Sequence, residues 1–529
     1  MCRSYTLLCA VRKYPGMHRT QHDVAPGVPA SGMPARPIAS DARRVVRKLW
    51  QILLIGHVLL IGVGLATHGE RSTLRAQEKI FRAGVYAIDI TPLELPVIIN
   101  GGMSERVADK ITDRLHARCF VLDDGQQQIA IAVVDSCMMP RALLDEAKRM
   151  ASAATGIPSE RMLISATHTH SAPSVMGCLG SDVDERYAAF LPGQIAKGIK
   201  LAFEHRVPAR VGWAVGRDEK NVACRRWLMK PGTAPTNPFG GTRNDQAMMH
   251  PGFNNPNAIR PTGPVDPAVT ILALQTRDGK PLGLLANYSM HYVGATPVSA
   301  DYFAVFCQKI AERLAVAADQ QPAFMAALSN GTSGDTWLMD YSKPMRREYS
   351  LESVATDVAD AAWQAYQSIT FHDWVPLDMK ERRLTLAVRM PGEEEVKEAR
   401  EFMKTFEGRK PTTVPEVYAR ETVLLSQMPP TRELKLQALR VGDLAITAIP
   451  NEVFASTGLW IKEHSPFPIT MNISLANGAE GYIPPPDQHA LGGYTTWRAR
   501  TSCLEIHAEP KIREAVLELL QQLHRQDKS

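Results

Sequence analysis

The sequence predicts an α/β fold: mixed, largely buried sheets flanked by helices. Two observations carry this. Apolar runs of strand length recur from residue 81 to about residue 475, several too continuously hydrophobic to leave a wet face. Between two of them lies one amphipathic helical stretch, and a strand–helix–strand unit of that length implies a right-handed parallel crossover. A third observation places the chemistry. Five strands run into polar turns bearing Gly, His, Asn or Glu, and open α/β sheets bind ligands at the carboxyl ends of their strands.

In chain order, 83–92 alternates and stops at Pro92, and 114–122 is a second strand. Asp124-Gly125 turns it into 129–135, a run with no polar face. A helix over 140–154 puts Leu143, Leu144, Ala147 and Ala151 on one side, with Gly156 beyond its end. The strand 162–167 returns beside 129–135, so Asp135 and His168 come to neighbouring strand ends. A hairpin over 269–276 and 281–289 leads straight to His291. The strand 324–328 enters Ser329-Asn330-Gly331-Thr332-Ser333-Gly334-Asp335. A hairpin over 434–440 and 444–449 ends at Pro450-Asn451-Glu452, and 469–475 ends at Asn477-Gly478-Ala479-Glu480-Gly481-Tyr482. Residues 228–264 show no periodicity and read as a loop insertion. The stretch 393–407 is a charged helix stopped by Gly408, and 509–525 is the closing helix. Residues 81–529 read as one catalytic domain.

The +5 formal charge sits in the leader. Nine basic and two acidic residues among 1–48 contribute +7, leaving the rest at −2. The body of the protein therefore has no electrostatic reason to bind nucleic acid. Arg43-Arg44-Val45-Val46-Arg47-Lys48 precedes an apolar core at 49–66, the pattern of a secretory signal within a leader of residues 1–80. The expectation is export, secreted or periplasmic, with membrane association if that segment stays as an anchor. Eight cysteines contain no Cys-x-x-Cys, which excludes a zinc ribbon.

The stretch 164–174 holds His168-Thr169-His170 after an apolar run. On an extended backbone both rings point to one face, and neutral imidazole is the commonest protein metal ligand. His-x-His alone also fits other metal hydrolases. A TIM-barrel amidohydrolase wants it on the first strand, however, and a metallo-β-lactamase continues His-x-Asp-His where this chain has Ser171-Ala172-Pro173.

Ala166-Thr167-His168-Thr169-His170-Ser171-Ala172-Pro173 resembles the THTHSGP-type segment of the neutral/alkaline ceramidases, which are zinc amidases. The resemblance continues through Asp89-Ile90-Thr91-Pro92, Tyr288-Ser289-Met290-His291, Ile449-Pro450-Asn451-Glu452 and the spacing of Tyr482 and Tyr494, over residues 81–507. It implies that His168, His291, Glu452 and Tyr482 hold Zn²⁺. It places His170, Tyr494, Arg225 and Asp335 on the catalytic side, and it implies hydrolysis of an amide bond in an N-acyl, ceramide-like lipid or small-molecule substrate. Two imidazoles, a carboxylate and a phenol suit zinc with a position left for water. One departure stands out: Gly334-Asp335-Thr336-Trp337 carries Trp337 where the family's pattern has a serine. That leaves two other readings open, another ester or amide substrate, or an inactive binding protein.

Overall fold

Eight strands build the main sheet of the computed structural model, which describes residues 79–239 and 245–525. They are β1 (Arg82–Asp89), β2 (His116–Asp123), β3 (Gln128–Val134), β4 (Met162–Ala166), β5 (Val207–Arg217), β6 (Ala268–Thr276), β7 (Pro281–Tyr288) and β8 (Met325–Asn330). Their order across the sheet is β8-β7-β6-β5-β1-β2-β3-β4. A second sheet runs β9 (Leu377–Ala387), β10 (Thr431–Val441), β11 (Leu444–Ala448), β12 (Ile469–Ile473) in that order. The predicted leader, including its apolar core at 49–66, lies outside the described residues. No described helix is long and apolar enough to cross a membrane.

The two sheets pack face to face. Phe120, Leu122, Ile131 and Val133 of the first sheet share one core with Leu439, Val441, Ile446 and Ile473 of the second. The alternate residues of β2 and β3, such as Cys119, Val121, Ala130 and Ala132, pack instead under α1 (Arg141–Thr155) and α2 (Glu185–Glu204). Further along the same face, Ile271, Leu284 and Leu328 meet α3 (Tyr302–Arg313) and α4 (Leu351–Gln367). The far face of the second sheet packs on α8 (Ala508–Arg525). Most strands are thus covered on both faces, which is why they read as unbroken apolar runs.

Within these two sheets three pairs of neighbouring strands are parallel: β3 with β4, β7 with β8, and β11 with β12. The predicted crossover is one of them, with α1 between its strands. The chain leaving β12 stitches the sheets together at these ends. Ser474 donates to Asn330 O, Ala166 to Leu475 O, and Asn477 to Ile164 O. The turns after all three parallel pairs are thereby brought together.

The loop insertion proves partly ordered. Arg226–Met229 pairs with Ala247–Met249 and with Ala258–Pro261 in a small antiparallel sheet. The charged stretch gives α5 (Glu393–Met403) and a 3₁₀ turn, packed beside α6 (Val414–Ser426).

Candidate metal centre

β4 ends at Ala166, so His168 is not on an extended strand as the sequence suggested. Its φ is +72°, a left-handed conformation that costs a non-glycine residue energy and clusters at functional sites. The rings of His168 and His170 still converge, with centroids 4.6 Å apart. The shared pocket holds; the extended backbone behind it does not.

His168 Nε2 lies 3.0 Å from His291 Nε2, 3.2 Å from His170 Nε2 and 3.3 Å from Glu452 Oε2. Each ring is aimed by a main-chain carbonyl at its other nitrogen. His168 Nδ1 is 2.8 Å from Cys137 O, His170 Nδ1 2.8 Å from Gly101 O, and His291 Nδ1 3.1 Å from Ser333 O. A carbonyl only accepts, so these contacts assign the hydrogen to Nδ1 and leave Nε2 as an inward-facing lone pair. Burial, with the Arg225 charge and the neighbouring imidazoles, keeps His291 well below its ordinary range. Burial, then His168 and Arg225, does the same to His170.

Such a cluster offers acceptors and no donors. Glu452 Oε2 is buried and takes no hydrogen bond, a state that costs about 1–3 kcal/mol if nothing else meets it. A cation among these atoms removes both the lone-pair repulsion and that orphan. The donors of His168, His291 and Glu452 lie within 4.8 Å of one another, and Cys137, His168 and His170 form a second such group. The donor set therefore fits a divalent metal with nitrogen and oxygen ligands.

Glu452 comes from a two-residue strand, Glu452–Val453, that pairs in parallel with Tyr482–Ile483. Their register sets Tyr482 directly beside Glu452. Burial, and then the Glu452 charge, hold the Tyr482 phenol well above its usual range, so it stays protonated in the absence of a cation. Arg225 Nη2 donates to Tyr482 OH at 3.3 Å and to Gly334 O at 3.0 Å. Of the two adjacent arginines, Arg225 is the one at the site. The Tyr494 ring stands 5.8 Å from that of Tyr482.

Asp335 is buried in the turn after β8. Its Oδ1 accepts from Ala455 N at 2.8 Å, at the start of α7 (Ala455–His464), and burial pushes its carboxyl up to about 6. It braces the turn behind the donors. Asp135 pairs with Arg118 at 2.7 Å and accepts from the main-chain N–H of His116 at 2.8 Å.

The turn with Trp337 has no spare hydroxyl. Thr336 donates to Ser289 O and Ser333 to Asn330 Oδ1. The Trp337 indole donates to Tyr292 O at 2.7 Å, and Tyr292 stacks on His170 at 3.8 Å between centroids. His168, His291 and Glu452 are buried, whereas His170, Tyr292 and Trp337 are partly exposed, so this aromatic edge is the open side. Sequence reasoning missed the carbonyls of Gly101, Cys137 and Ser333, which leave no signature in residue identity. It also missed the Tyr292 stack.

Compared with solved structures, the chain is similar to the neutral ceramidase of Pseudomonas aeruginosa, with a TM-score of 0.64 and 16% identity over 85% of this chain and 75% of that one. A ceramidase complexed with C2 gives a TM-score of 0.62 and 15% identity over 85% and 76%. The fold is that of the ceramidases. No protein-family model and no curated protein matches the chain. Within this ceramidase fold His168, His291 and Glu452 occupy one cluster, and Tyr482, Tyr494 and Arg225 stand around it. All six described cysteines are free thiols.

Proposed function

We propose that this protein is an exported, zinc-dependent hydrolase of amide bonds in N-acyl substrates, ceramide-like lipids among them. The observation that carries this is the acceptor-only cluster of His168, His291 and Glu452, with its buried orphan oxygen, inside a ceramidase fold. His168, His291, Glu452 and Tyr482 are the residues that would hold the ion. When bound, zinc supplies polarisation of a carbonyl and acidification of a water.

The chain's own groups take the remaining roles. His170 has Nδ1–H spent on Gly101 O, which leaves its Nε2 without a hydrogen. At the open side of the centre it is a hydrogen-bond acceptor that faces substrate. Burial keeps the Tyr494 phenol protonated far above neutral pH, so its O–H donates to the oxygen that gains charge or to the leaving nitrogen. Arg225 adds a fixed positive charge beside Tyr482. The Trp337 substitution favours a second reading, the same chemistry on another ester or amide. A zinc-loaded screen of short- and long-chain N-acyl amines and esters tests both. Turnover of amides supports the first reading, turnover confined to esters the second, and no turnover at all defeats both.

A further inference from the structure

Arg226 is fully buried, and although the charges of Asp335, Asp245 and Asp487 act on it, none of these carboxylates touches the guanidinium. Stripping a guanidinium of water without an ion-pair partner is costly, and a neutral side chain of similar volume fills such a space more cheaply. Its contacts indicate what keeps it there. Nε donates to Gln488 Oε1 at 3.2 Å and Nη2 to Gln488 O at 2.9 Å, while Nη1 reaches Thr495 Oγ1 at 3.4 Å. Gln488 lies in the short helical turn Pro486–Ala490, and Thr495 in the 3₁₀ turn Tyr494–Thr496.

Between these two anchors sit Gly492 and Gly493, with φ of +69° and +86°. A glycine pair in that conformation is a free hinge unless something outside it closes the span. Gly493 also lies so close to Arg226 that a Cβ there would stand 2.9 Å from Nη1 and 2.6 Å from Ala247 O. Downstream of Tyr494 the chain is held independently, by Trp497 Nε1 on Asp245 and by Ser502 Oγ on Thr495 O. Upstream, Leu491 O accepts from Gln246 N and Ala247 N, and the Arg226 fork ties Gln488 to Thr495 across the two glycines themselves.

We propose that Arg226 is a positioning residue for Tyr494: it staples Gln488 to Thr495 across the glycine hinge and so fixes the phenol against the metal centre. Arg225 and Arg226 then divide one task. The first reaches Tyr482 and the second the Tyr494 turn, so a single dipeptide sets the separation of the two tyrosines. The proposal rests on the functional reading for Tyr494's part in turnover, but not for its placement.

The test is a double-mutant cycle with Tyr494→Phe, joined to an activity-free probe. Arg226→Met is expected to lower kcat by at least about tenfold with KM and zinc content little changed. On the Tyr494→Phe background the same substitution should change kcat by less than about twofold. Equal losses on both backgrounds mean a general structural role and overturn the proposal. For the probe, 3-fluorotyrosine is placed at position 494, and at position 288 in the buried core as a control. Arg226→Met should shift or broaden the ¹⁹F signal at 494 and leave that at 288 alone. If the wild type turns over no N-acyl substrate, the functional reading has failed and the fluorine spectrum decides the placement alone. An unchanged signal at 494 in folded Arg226→Met then overturns it. Should Arg226→Met not fold, Thr495→Val removes one partner and is expected to move the same signal by less; no movement overturns the proposal equally.

Discussion

Glu452 and Tyr482 are register partners in a parallel bridge only two residues long, and that bridge joins the turns after β11 and β12. Neighbouring main chains, not side-chain reach, set the carboxylate beside the phenol. The Gly481–Tyr482 peptide is not free to drift either, since Glu452 N donates to Gly481 O at 3.0 Å and Tyr482 N to Thr501 O at 2.8 Å.

Because Glu452 Oε2 is buried without a hydrogen bond, Glu452→Gln should separate metal affinity from stability. The metal-free variant is expected to be as stable as the wild type or up to about 1–3 kcal/mol more so, since an unmet buried acceptor has been relieved. Its zinc affinity should fall by about a hundredfold or more. Chemical denaturation and competition titration read the two effects separately, and a destabilised metal-free variant argues against a strained acceptor cluster.

Gly101 offers a way to move His170 without touching a proposed ligand. Its φ is +89°, and a Cβ there would sit 2.5 Å from the His170 ring. Gly101→Ala should leave zinc content intact and cut kcat by about 10- to 100-fold. Loss of zinc in this variant would mean that His170 is itself a ligand.

Trp337→Ser removes the indole that donates to Tyr292 O and backs the Tyr292–His170 stack. Zinc content should not change, and kcat/KM for N-acyl substrates should rise, by about tenfold. Unaltered kinetics across the substrate screen would show that the indole is not what limits amide turnover.

The sequence disclosed the parallel pairing of β3 with β4 because a strand covered on both faces has no polar side to confuse with a helix, whereas the parallel pairings of β7 with β8 and β11 with β12 join strands that the sequence showed only as separate apolar runs. It disclosed less of the helices. In α2, Pro192, Gly193 and Gly198 look like breakers, yet Gly198 is required there: a Cβ would meet Cys119 Sγ and Ile88 Cγ2 at 2.8 Å, where the helix presses on the sheet. β9 was hidden for the opposite reason. It is a charged edge strand, and only Leu377, Met379 and Leu386 of it are buried. At the centre itself, the resemblance to the ceramidases pointed to His168, His291, Glu452 and Tyr482, but the aiming of the rings belongs to carbonyls. The contact of Asp335 Oδ1 with the amide of Ala455 likewise left no mark in the sequence.

Lys148 gives a pH signature distant from the chemistry. Its ammonium is buried on α1 against Asn477 Oδ1 at 2.6 Å, and burial lowers it from 10.5 to about 7. A base depressed in the folded state binds fewer protons there than in the unfolded chain between these two values. Its contribution therefore makes stability rise with pH from about 7 to about 10.5, by at most about 1.4 kcal/mol per unit. Lys148→Met should flatten that part of the wild-type profile in urea unfolding. Parallel profiles for the two proteins would contradict it.

The central claim is a metal held by His168, His291 and Glu452, and metal content tests it most directly. After zinc loading and exhaustive dialysis, elemental analysis should find about one zinc per chain in the wild type. His168→Ala, with unchanged far-ultraviolet circular dichroism, should retain none. A wild type without stoichiometric metal, or a His168→Ala variant that keeps it, contradicts the account.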